Sequence, residues 1–177
     1  MRNKILSNRA YPVIFLSVIV TVSVVLLIAL NNVTSTIVEG RQGEEIKRTL
    51  ENIFPEMSEY EIEDEVYTIY QDGEKAGYAF MANGSGYGGD IDILVGLEND
   101  FSIKDISILA QTETPGLGSR ISEKSFTDQF KGLSADEVAF RTDNGRIDAI
   151  TGATISSKAV VDTVKEKMDE IINGLQN

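Results

Sequence analysis

The run Ala10–Val38 contains no charged residue, and its centre, Val13–Leu30, reads VIFLSVIVTVSVVLLIAL. A helix that packs on a water-soluble core needs a polar face at 3.6-residue spacing. This run has none. An apolar helix crosses a ~30 Å hydrocarbon layer with about 17–25 residues, so the run sits at the lower end of that range. It exceeds the apolar region of a secretory signal, about 7–15 residues, and no small-x-small cleavage pattern follows it. The expectation is an uncleaved anchor: a transmembrane helix over 10–32, after a short basic segment 1–9 that holds Arg2, Lys4 and Arg9. Basic residues stay on the cytoplasmic side. A connector over 33–43 then leads to a domain over 44–177 on the other side of the cell (inner) membrane, which the chain crosses once.

That domain is long enough for one hydrophobic core. The chain of 177 residues has neither Cys nor His. Disulfides, thiolate-held iron–sulfur clusters, His-ligated haem, the usual zinc sites and Cys or His nucleophiles are therefore excluded. No metal site is expected. A covalent cofactor would need a hydroxyl, a lysine or a carboxylate. The net charge of −12 argues against nucleic-acid binding, which wants a basic face, and suits a solvated acidic surface.

Periodicity predicts a helix over 44–54, with Ile46, Leu50, Ile53 and Phe54 on one face and Pro55 ending it. Strands are expected over 65–71 and 76–81 around the hairpin signal Asp72-Gly73. A second strand pair is expected over 90–97 and 103–109. A short helix over 125–131, a strand over 146–150 and a closing helix over 158–175 complete the reading. The closing helix carries the stripe Val161, Val164, Met168, Ile171, Leu175. Adjacent strand pairs with helices at both ends indicate an α+β domain with antiparallel pairing.

Three loops hold the candidate chemistry. The first, Asn83–Gly89, is glycine-rich but lacks a Walker lysine and does not open a helix, so its likeness to a nucleotide loop is superficial. The second, Gln111–Arg120 (QTETPGLGSR), combines Pro115, whose φ is set by its ring, with the permissive Gly116 and Gly118. It can present Glu113, Thr114 and backbone amides to a flat ring, or be a rigid surface turn. The third, Asp148–Ser157 (DAITGATISS), places hydroxyls around Gly152-Ala153 before the closing helix, with Ser156 and Ser157 as candidate N-caps. The amides and dipole at such a helix start suit a phosphate. On the residues alone, this is either a phosphate cradle beside Thr154 or a plain capped helix. No residue reads as a catalytic acid or base, and no dinucleotide fingerprint is present.

Asp148-x-x-Thr151-Gly152-Ala153-Thr154 resembles the flavinylation motif of the FMN-binding domain family, and Glu113-Thr114-Pro115-Gly116-Leu117-Gly118 resembles a segment that lies against the flavin there. The family includes the G subunit of Rnf-type ion-translocating complexes and the C subunit of sodium-translocating NADH:quinone oxidoreductase. The resemblance implies FMN held covalently through a phosphoester on Thr154 and attached by a separate flavin transferase. Thr151, Gly152, Ala153 and Ser157 would then lie at the attachment point. Asp148 would serve recognition by that transferase or be a plain acceptor at the turn. Lys158 would pair with the flavin phosphate or be a solvated helix residue. Glu113, Thr114, Gly116, Leu117, Gly118 and Tyr87 would lie towards the flavin. It further implies an electron-transfer subunit of a ferredoxin/NAD-type membrane translocase, with the other subunits as partners. The sister complex, a free-standing anchored FMN carrier, and a non-redox interaction domain are the alternatives.

Overall fold

The computed structural model describes the backbone of residues 11–175 and the side chains of residues 15–26 and 43–175. The basic segment 1–9 lies outside the described residues, as does part of the expected span 10–32. Residues Met1–Glu44 and Glu45–Asn177 form two separate units. Helix α1 is Tyr11–Ile53, so the described backbone stays helical across 33–43, where a connector was expected. Its described side chains over 15–26 are all exposed. Among the described residues no helix is long and apolar enough to cross a membrane.

The second unit is an α+β domain built on one antiparallel sheet. The strands are β1 (Glu59–Glu63), β2 (Val66–Gln71), β3 (Glu74–Ser85), β4 (Asp90–Leu97) and β5 (Ile103–Gln111), in that spatial order. Every connection is a hairpin. At Asp72-Gly73 both residues have positive φ, 50° and 83°, as a type I′ turn requires. Strand β3 pairs with β4 along Tyr78–Ser85, so the glycine-rich segment becomes the tip of a β3–β4 hairpin, closed by Gly86 N–H donating to Gly89 O at 2.8 Å.

The sheet is buried on both faces near its centre. On one face Phe80, Ile91, Ile93 and Val95 meet α3 (Thr154–Leu175) through Val160, Val164 and Met168. The connecting segments add Ile121, Phe126, Phe130, Val138 and Ile147. Phe126 and Phe130 pack edge to face at 5.5 Å. Fully burying side chains of this size stabilises the fold by about 1.5–3 kcal/mol each. On the other face Leu50, Ile53 and Phe54, from the end of α1 and just beyond it, cover Ile69, Ala79 and Leu94. Gly96 makes this approach possible, because a Cβ there would lie 2.5 Å from Ile53 Cγ2.

Three expectations need correction. The closing helix begins at Thr154 rather than 158, so Ser156 and Ser157 lie inside its first turn and are not N-caps. Residues 146–150 form no strand of the sheet. One isolated parallel bridge joins Phe140 to Ile147, and the segment's other backbone bonds go to residues 139–141, the Gln129 side chain, and, at Ile150, to the Ser157 hydroxyl and the Ala153 amide. The helix over 125–131 shortens to α2 (Lys124–Thr127) and a following 3₁₀ turn, Asp128–Phe130. Strand β1 was not expected. Its EYEIE sequence alternates, but four of its five residues are exposed, so little burial supports the pattern.

Candidate functional site

Two tight turns face each other at one end of the sheet. In the first, Leu117 N–H donates to Thr114 O at 3.1 Å, with Pro115 and Gly116 (φ 75°) in the central positions. In the second, Ala153 N–H donates to Ile150 O at 2.9 Å, with Thr151 and Gly152 (φ 83°) in the centre. Both follow the type II pattern, which needs positive φ at the third residue and therefore selects glycine. The turns come close: a Cβ on Gly152 would lie 3.6 Å from Leu117 Cδ2.

Ser157 anchors the second turn from below. It is fully buried, accepts the Ile150 N–H at 3.0 Å and donates its hydroxyl to Ala153 O at 3.0 Å. Regular helical bonding starts when Ser157 N–H meets Ala153 O at 2.9 Å. The amides of Thr154, Ile155 and Ser156 precede that bond, as the first amides of any helix do. Thr154 is exposed at this helix head.

Glu113 anchors the floor. Its side chain is buried, at 5% exposure. Oε1 accepts the Gly88 N–H at 3.0 Å, and Oε2 accepts the Ser156 hydroxyl at 2.7 Å. Between these elements lies a cleft of about 570 Å³, lined by Tyr87, Glu113, Thr114, Leu117, Gly118, Gly152, Ala153, Thr154, Ile155 and Ser156. Its rim is apolar and solvent-facing: Tyr87, Leu117 and Ile155 are 72%, 48% and 59% exposed.

The structure thus brings together eight of the candidate residues: Tyr87, Glu113, Thr114, Leu117, Gly118, Gly152, Ala153 and Thr154. Gly116 and Thr151 shape the turns without lining the cleft. Ser157 is tied into the turn. Lys158 is exposed and donates to Asp162 Oδ2 at 2.7 Å, a bond that raises its pKa and holds its charge one turn further along α3. Asp148 is also outside the cleft. Its exposed carboxylate accepts Arg141 Nε–H at 3.0 Å, and its amide donates to Gln129 Oε1 at 2.8 Å.

Ile155 and Ser156 were not anticipated as cleft residues. A signal for both was present. Carrying the buried stripe of α3 back by one turn, from Val160 and Val161 to Ser156 and Ser157, puts both serines on the buried face and starts the helix earlier. Ile155 falls off that stripe, an apolar residue with no core to join.

Residues 86–169 match the family model for the FMN-binding domain. The G subunit of the proton-translocating ferredoxin:NAD(+) oxidoreductase complex of Clostridium ljungdahlii is 33% identical over 156 residues, covering 85% of this chain and 84% of that protein. The G subunit of the ion-translocating oxidoreductase complex of Methanosarcina acetivorans is 33% identical over 144 residues, covering 73% and 77%. Among solved structures, the C subunit of the Na(+)-translocating NADH-quinone reductase of Parabacteroides distasonis superposes with a TM-score of 0.55 at 25% identity, over 63% of this chain and 62% of that one.

The cleft fits an FMN on its own geometry. Its volume lies in the range of small-molecule sites, about 300–1,000 Å³. It offers an apolar rim for a ring, and the helix head supplies amides for a phosphate. The chain belongs to the family of ion-translocating oxidoreductase complex G subunits and carries an FMN-binding domain.

Proposed function

We propose that this chain is a membrane-anchored electron-transfer subunit that carries FMN as a phosphoester on Thr154. The observation that carries the reading is the position of Thr154: an exposed threonine at the head of α3, on the wall of the cleft, directly after the Gly152 turn. A threonine hydroxyl is a weak nucleophile at neutral pH, and no general base lies among the cleft residues other than the engaged Glu113. Attachment therefore falls to a separate flavin transferase. In that step Thr154 Oγ1 forms the bond to phosphorus, the phosphoanhydride of FAD breaks, and AMP leaves with the hydroxyl proton. The exposed Asp148–Arg141 pair outside the cleft suits a recognition role for Asp148 towards that enzyme.

Within the cleft, the α3 head amides would hold the phosphate. Tyr87, Leu117 and Ile155 would cover the ring edges, with Thr114 and Gly118 beside them. Bound FMN supplies the ability to accept electrons from one carrier and pass them to another. Ser157 and Lys158 take no direct part in this arrangement.

The full protein reading follows the relatives: a member of a translocase that couples ferredoxin:NAD electron transfer to ion movement, partnered by the other subunits of that complex. The exposed apolar side chains Phe15, Leu16, Val18, Ile19, Val20, Val22, Val24, Val25 and Leu26 support a lipid-embedded span over 10–32. We place 1–9 in the cytoplasm, 33–43 as the link and 44–177 outside the cytoplasm in a single-pass topology. A second reading, the C subunit of a sodium-translocating NADH:quinone reductase, is favoured by the likeness to the Parabacteroides structure. The fuller coverage of the Clostridium protein favours the first.

The test is intact mass and flavin fluorescence of the denatured chain, made in a host with a flavin transferase. The expected result is a gain of one FMN less one water on the peptide containing Thr154, absent in Thr154→Ala. An unmodified wild-type chain, or a modified Thr154→Ala chain, defeats the assignment. Co-purification with membrane and iron–sulfur subunits separates a member of such a complex from a free-standing carrier.

A further inference from the structure

We infer that Glu113 is a positioning residue. Its buried carboxylate joins the β3–β4 hairpin tip to the first turn of α3, and so sets the mouth of the cleft that presents Thr154. The inference rests on the reading that Thr154 carries the flavin.

A carboxylate removed from water is costly unless its oxygens are hydrogen-bonded or paired. No lysine or arginine pairs with Glu113 among the described residues. Its two oxygens instead take one donor each from segments far apart in the chain. Gly88 N–H lies 25 positions before it, and the Ser156 hydroxyl lies 43 positions after it. The surroundings are shaped to the carboxylate. A Cβ on Gly86 would collide with Oε1, and one on Gly118 would lie 2.5 Å from Oε2 and 2.8 Å from Ser156 Oγ. Two glycines from different loops thus leave out a side chain where this group sits.

The tie also has no parallel. Among the described residues, the hydrogen bonds of residues 86–89 otherwise stay within the hairpin tip or reach Thr112, as in Thr112 Oγ1–H to Gly88 O at 3.2 Å. None runs directly to residues 154–157. Gly88 follows Tyr87 on one wall of the cleft, and Ser156 lies two residues after Thr154 on the other. Glu113 therefore fixes the spacing of the two walls. Glutamine can keep both contacts, because its oxygen accepts from Gly88 while its amide donates to Ser156 Oγ. Alanine cuts both.

The experiment uses the full-length chain in detergent with FAD, magnesium and a flavin transferase. It follows the initial rate of covalent flavin incorporation, together with hydrogen exchange at the Gly88 amide. Misplacing a reacting group by about 1 Å can cost on the order of 100-fold, so Glu113→Ala is expected to slow incorporation by at least about tenfold. Ser156→Ala should slow it as well. The double variant should be no slower than Glu113→Ala alone, since both cut one link. Glu113→Gln should restore a rate within about threefold of wild type. Gly88 exchange should quicken in Glu113→Ala and not in Glu113→Gln.

Wild-type rates in Glu113→Ala, additive losses in the double variant, or a Glu113→Gln variant as slow as alanine would each overturn the inference. If Glu113→Ala does not fold, Ser156→Ala and Glu113→Gln decide: slow incorporation in the first with near-normal rates in the second supports the link, and a wild-type rate in Ser156→Ala refutes it. Covalent flavin persisting in Thr154→Ala would instead defeat the attachment reading, and the Gly88 exchange comparison would still decide whether Glu113 ties the walls together.

Discussion

Replacing Ser157 with alanine tests whether the attachment turn is held from beneath. The Ser157 hydroxyl is fully buried and makes two bonds, accepting from Ile150 N–H and donating to Ala153 O. The change removes one oxygen from a site with no access to water. The Ala153 carbonyl keeps its bond from the residue 157 amide, so its loss is small. The Ile150 N–H loses its acceptor, and an unsatisfied buried donor costs about 1–3 kcal/mol. With a urea m value of about 1–3 kcal/mol/M, the unfolding midpoint should fall by on the order of 1 M. The assay is urea denaturation of the flavin-free chain followed by tyrosine fluorescence. Thr151→Ala, at an exposed position in the same turn, serves as the comparison and should change stability by less than about 0.5 kcal/mol. If Ser157→Ala matched Thr151→Ala in midpoint yet lost flavin, Ser157 would be a ligand to the cofactor and the argument from burial would be wrong.

Gly152→Ala forces an L side chain into φ 83° and should cost about 1–2 kcal/mol in the same denaturation assay, with covalent flavin reduced in proportion to the disordering of the turn. Asp100 accepts from the Ser102 hydroxyl and amide, which holds its carboxylate below the usual value. A depressed folded pKa contributes stability above the unfolded pKa of about 4 and loses it as pH falls through the folded value. Asp100→Asn should therefore flatten that part of the acid limb in a pH series of urea midpoints, and an unchanged acid limb would show that the β4–β5 turn does not sense the charge. Reporter fusions after the last residue should be active only outside the cytoplasm, and cytoplasmic activity would reverse the proposed orientation. Asp148→Asn should change stability in the urea assay by less than about 0.5 kcal/mol, because its ion pair with Arg141 is solvent-exposed, while slowing flavin incorporation in the transferase assay.

Short-range chemistry was legible in the chain itself. Hairpin turns declare themselves through residues that tolerate positive φ, and Asp72-Gly73 did so. Strand β4 was read to its two ends, because Ile93–Leu97 is uncharged and buried on both faces and the strand is bounded by clear turns. The hydroxyl motif around Thr154 and the Pro115-Gly116 turn were visible as patterns of residue type, and the absence of Cys and His narrowed the covalent chemistry to hydroxyls, lysines and carboxylates. Tertiary structure decided which of those groups meet. Ser157 and Lys158 follow Thr154 within four residues in the chain, but the rotation of a helix that begins at Thr154 turns Ser157 into the core and Lys158 towards Asp162. Glu113 could be read as a loop carboxylate facing solvent or a ring. Only the folded arrangement brings Gly88 and Ser156 to it from distant segments and clears space with Gly86 and Gly118. The physical reason is range: backbone dihedral preference and periodicity act over a few residues, whereas the burial of a carboxylate depends on donors that only the packed sheet and helix bring together.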